Sequence, residues 1–115
     1  MNMKLFFWII DMLIPAMMLV MGTLLAACPP KKINILYGYR TTLSMASQEA
    51  WDYANPLCGK IWLITGAALA ALVAADKLAL PFKPEYISLF HAVIGMTLLI
   101  LPIPFIEKKL KTKFK

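Results

Sequence analysis

Acidic side chains are scarce in this chain: six Asp and Glu stand against twelve Lys and Arg, for a formal net charge of +6. Cysteine is scarcer still. Cys28 and Cys58 are too few for a disulfide framework or a cysteine metal cage, and His91 is the sole histidine, so no metal and no cofactor are expected. No nucleophile has a nearby base, no carboxylates pair at one depth, and no glycine-rich loop could cradle a phosphate. With no catalytic set, the chain does not read as an enzyme. Its positive charge does not read as a nucleic-acid footprint either. Five of the twelve basic residues follow Glu107, as in a tail that meets anionic lipid on the cytoplasmic face of a membrane.

Hydrophobic residues make up 61% of the chain and charged ones 16%, which excludes an ordinary soluble domain and implies an integral membrane protein. At 115 residues, a single domain (1–115) is expected. Three apolar blocks account for the composition. Helix one is expected over 5–28, carrying Trp8 as an interfacial anchor and Pro15 as a possible kink, and ending at Pro29-Pro30. A competing reading takes Leu25-Ala26-Ala27-Cys28 as a lipoprotein signal with a lipidated Cys28; the long run interrupted by Asp11 and Pro15 argues for an uncleaved helix. Helix two is expected over 45–75, amphipathic at first, with Pro56 bending it and Gly66, Ala70 and Ala74 letting a neighbour approach closely. A short link, 76–85, turns the chain back into helix three, 86–106, and a basic tail, 107–115. The fold expected is therefore all-α: a three-helix membrane bundle with an amphipathic interfacial extension on the cytoplasmic end of helix two. Nine basic residues on the side of the first loop and tail, against three on the other, place that loop and the C-terminus inside and the N-terminus outside.

The longest polar stretch lies between the first two blocks. Tyr37-Gly38-Tyr39-Arg40-Thr41 reads as a turn with Gly38 free to take a positive φ, and Thr41, Thr42 and Ser44 are candidate caps for helix two. Ser47, Trp51, Asn55 and Cys58 would share one helical face. Gly38-Tyr39-Arg40-Thr41, then Ser44, Trp51 and Ala54-Asn55, resembles the signature of the SdpI family of small bacterial membrane proteins, and the three blocks extend that resemblance over nearly the whole chain. Ser47 departs from it, standing where Asn is expected.

The resemblance implies a non-enzymatic protein that protects the membrane from a secreted killing peptide, with an antimicrobial toxin peptide or a cytoplasmic repressor as partner besides the lipid bilayer. Its site would comprise Gly38, Tyr39, Arg40, Thr41, Ser44, Trp51 and Asn55. Read from the residues alone, Arg40 either recognises a partner while paired to Glu49 or Asp52, or clamps the loop. Trp51 is expected at headgroup level as an anchor, and Asn55 is expected to satisfy backbone groups around Pro56. Asp11 and His91 lie at similar depth and form either a proton-binding pair or two side chains that snorkel separately, the latter being preferred. A small oligomeric transporter or proton-linked channel lined by these two is the alternative function. A scaffold that captures a soluble regulator through the first loop and tail is a third. A homo-oligomer fits any of them.

Overall fold

A computed structural model describes residues 2–34, 36–79 and 83–114. Four helices follow in order: α1 (Met3–Ala27), α2 (Gln48–Ala79), α3 (Pro84–Ile100) and α4 (Pro102–Lys113). No strand occurs among the described residues. Three helical stretches, Met3–Ala27, Gln48–Ala79 and Glu85–Lys113, are long and apolar enough to cross a membrane. The 32 residues of α2 extend about 48 Å at about 1.5 Å each, well beyond a hydrocarbon core of about 30 Å.

The ends of these helices follow from local chemistry. Asn2 opens α1 by accepting the Leu5 N–H at 2.7 Å through Oδ1. Helix α2 begins later than expected because its cap is Ser47, whose Oγ accepts the Ala50 N–H at 3.0 Å. Thr41 and Ser44 are spent on a separate turn, closed by the Met45 N–H bonding Thr41 O at 3.0 Å. At the far end α2 runs on to Ala79, so Asp76 and Lys77 are helical rather than part of a link. Of the rest of that link, 80–82 lie outside the described residues, Lys83 caps α3, and Pro84 and Glu85 are its first residues.

Helix three ends sooner than expected, at Ile100. Pro102 has no N–H to continue the ladder, and it serves instead as the first residue of α4. The lysine-rich segment is consequently not a simple tail. Ile106 and Leu110, one turn apart, are fully buried on α4, while Lys108, Lys109, Lys111 and Lys113 remain exposed. They pack with Ala50, Ala54 and Cys58 of α2 and with Tyr39 of the loop.

Helix α2 is the centre, touching α1, α3 and α4. The tightest approach is to α1, at Gly22 and Gly59. A Cβ on Gly59 would sit 2.5 Å from Ala26 N and 2.7 Å from Gly22 O, so the two backbones are in direct contact there. Gly66, expected in this role, lies two turns further along against Met18. Helix α3 closes the bundle where Gly95 receives Ile14.

Since no side chain fits at the crossing, Gly59→Val should force the helices apart and cost about 1–3 kcal/mol, the range for overpacking. Thermal unfolding in detergent, with exposed Ala71→Val as a control, checks this; an unchanged midpoint for Gly59→Val would contradict the contact.

Candidate functional site

The signature residues converge on Tyr39. Its backbone N–H donates to Asn55 Oδ1 at 2.6 Å, and its hydroxyl donates to Glu107 Oε1 of α4 at 2.7 Å. Ser44 Oγ lies 2.8 Å from Tyr39 O as a donor and accepts the Thr41 N–H at 2.8 Å. Thr41 Oγ1 in return accepts the Ser44 N–H at 3.2 Å, closing a reciprocal pair. Asn55 completes its own bonding by donating Nδ2–H to Trp51 O at 3.0 Å. Loop, α2 and α4 are thereby joined through one residue. Burial, followed by the hydrogen bond and charge of Glu107, pushes the Tyr39 phenol well above the usual tyrosine range, so it keeps its donor proton.

Gly38 makes the approach possible. Its φ is 116°, and a Cβ there would fall 2.6 Å from Asn55 Oδ1 and 3.2 Å from the Trp51 ring. Both the backbone angle and the space demand glycine.

Three expected sets of contacts change. Trp51 is not an interfacial anchor: it is fully buried, and its indole N–H donates to Pro30 O at 2.7 Å. The loop folds over this face of α2, and the ring satisfies a carbonyl that Pro29-Pro30 leaves without a helical partner. Asn55 likewise bonds across to the loop as well as within its own helix. Arg40 does not pair with Glu49 or Asp52; it is exposed and donates Nε–H to Asn34 O at 3.1 Å. A cavity of about 240 Å³ lies under the loop, lined by Gly38, Tyr39, Arg40 and Thr41 with Trp62 and Ile103 among its other walls. The Trp62 indole nitrogen is buried without a hydrogen-bond partner among the described residues.

Some 21 residues along α2, about 30 Å away at about 1.5 Å per residue, a second polar cluster joins α1, α2 and α3. Asp11 Oδ2 lies 2.7 Å from Lys77 Nζ and 3.3 Å from His91 Nδ1, while His91 Nε2 lies 2.9 Å from Asp76 Oδ2. The two residues singled out from the sequence therefore meet and do not snorkel apart. Asp76 and Lys77 look like link residues in the sequence; their position within one turn of Ala74, the last of the small-residue row in α2, was the available signal. Lys77 also stands over the rings of Phe7 and Trp8, at 5.7 and 5.9 Å. Among the described residues, no group of His, Cys, Asp and Glu is arranged to hold a metal.

The fold and its signature agree with what known proteins indicate. The SdpI/YfhL protein family matches residues 31–106, which include the loop, α2, α3 and the start of α4. The chain belongs to the SdpI/YfhL family. A relative named "Uncharacterized protein YfhL", from Bacillus subtilis (strain 168), is 38% identical over 56 residues, covering 49% of this chain and 51% of the relative. The match thus spans about half the length of that relative. No solved structure matches the chain.

Asn55→Ala removes the acceptor of a buried amide, at a cost of about 1–3 kcal/mol for the unpaired group. The loop should then be cut faster by protease in detergent, while Arg40→Ala leaves cleavage unchanged. Equal protection of Asn55→Ala and wild type would contradict the fastening role.

Proposed function

We propose that this chain is a non-enzymatic immunity protein of the SdpI type that protects the cell membrane from a secreted killing peptide. Membership of the family, through a match that contains every signature residue from Gly38 to Asn55, carries the reading. The geometry supports it in a specific way. Most of the signature is consumed in holding the loop against α2 and α4, which leaves Arg40 as the exposed signature cation at the rim of a cavity. A guanidinium fixed by its Nε–H keeps its remaining donors for an anionic or carbonyl group on a partner. Apolar faces of α1 and α3, including Leu13, Val20, Phe90 and Val93, are exposed toward lipid, where a membrane-inserted peptide would be met.

In this reading the N-terminus faces out and the loop and α4 face the cytoplasm, following the lysine bias. That face, with Arg40 and the α4 lysines, is also where a cytoplasmic repressor would be sequestered.

The test is survival of a sensitive bacterial strain exposed to SDP-type peptide, with and without this protein. Wild type should protect, and Arg40→Ala, at equal membrane expression, should return cells to the sensitivity of the strain without it. Absence of protection by well-expressed wild type would overturn the reading, and solute or proton flux in liposomes would then favour the transporter.

A further inference from the structure

The cluster at the other end of the bundle has a proton count that its geometry fixes. Asp11 comes from α1, Asp76 and Lys77 from α2, and His91 from α3; among the described residues, these four are the charged and titratable groups in mutual contact there. Two carboxylates and one ammonium leave one negative charge over. The side chains of Asp11, His91 and Lys77 are 1%, 2% and 7% exposed, in a segment where an unbalanced charge is costly.

Both ring nitrogens of His91 face carboxylate oxygens, Nδ1 toward Asp11 and Nε2 toward Asp76. A neutral imidazole has one N–H and one lone pair, so it would turn a lone pair toward an acceptor on one side. One additional proton removes that conflict and brings the cluster to neutrality. Placing it on Asp11 does not serve as well. Asp11 Oδ2 already faces the Lys77 ammonium at 2.7 Å, and Asp11 Oδ1 is buried with no partner among the described residues to receive a donated hydrogen. The ring is the position at which both protons have acceptors.

We propose that Asp11, Asp76, Lys77 and His91 form an intramembrane binding site for one proton, held on His91 as an imidazolium that bridges the carboxylates of α1 and α2. When the proton is present, Nδ1–H donates to Asp11 and Nε2–H to Asp76, and α3 is fastened to both other helices. When it leaves, one carboxylate faces a lone pair and the cluster carries an uncompensated negative charge, which loosens α3. Asp76 is the least buried member, at 15% exposure, and in the orientation proposed above this end of the bundle faces outward. The site does not depend on the immunity reading, since it involves none of the signature residues.

His91 is the only histidine, so the full chain labelled with [15N]histidine in lipid nanodiscs reports on a single ring. At neutral pH both ring nitrogens should carry hydrogen, read from their nitrogen shifts and one-bond N–H couplings. Asp76→Asn, which removes the surplus negative charge, should leave one ring nitrogen without hydrogen, whereas Lys77→Met should leave both protonated. A purely structural contact would not change the number of hydrogens on the ring. A ring that is neutral in one tautomer in the wild type, or one that keeps both hydrogens in Asp76→Asn, overturns the proposal. Asp76→Asn alters the most exposed member, so the test stays decisive where a variant at buried Asp11 would fail to insert.

Discussion

The hydrogen bond from the Tyr39 amide to Asn55 Oδ1, at 2.6 Å, is the contact on which the loop end of the molecule depends. It forms only because Gly38 has no Cβ to occupy the intervening space and can hold a φ of 116°. Once it forms, Trp51 is covered by Pro30 and the Gly38 backbone, and the Tyr39 ring is directed to Glu107 on α4. The family signature is therefore first a packing device. Asparagine, tryptophan and the Thr41–Ser44 pair each satisfy a backbone group that a loop folded onto a helix would otherwise leave unpaired, and glycine leaves them the room to do so.

A similar economy governs the bilayer segment. Glycines at 22 and 59 let α1 and α2 approach to backbone contact, which suits a setting where lipid gives no hydrophobic drive between helices. Helix α3 is joined through Gly95 against Ile14, through Ile94, Leu98 and Leu99 packed on the cluster of Met18, Leu69 and Val73, and through His91. The mutual pairing of the buried charges offsets the cost of placing Asp11 within an apolar helix.

The existence of three membrane helices was legible in the sequence because hydropathy alone reports it. The positive φ of Gly38 and the shared face of Trp51, Asn55 and Cys58 were legible for the same kind of reason, as local rules. What was not legible depended on partners distant in sequence. Trp51 reads as an anchor until Pro30 is seen to accept its indole hydrogen. The segment after Pro102 reads as a tail because lysine dominates it, although Ile106, Leu110 and Phe114 recur every fourth residue, the period of a buried stripe. Ser47 and Ser44 are equally good caps by residue type, and only the turn formed with Thr41 decides between them. Likewise, Asp11 and His91 could be paired by depth, but Asp76 and Lys77 required knowing that α2 continues to Ala79.

The central claim is that the signature loop is a fixed part of the bundle rather than a free connection. Hydrogen exchange of backbone amides, measured on the protein in lipid nanodiscs, tests it most directly through Tyr39. Its amide is bonded to a buried side chain, whereas the Leu36 amide bonds Asn34 Oδ1 at an exposed position. Exchange at Tyr39 as slow as in the interior of α2, with Leu36 exchanging quickly, is the predicted result. Equal, fast exchange at both positions would contradict the account.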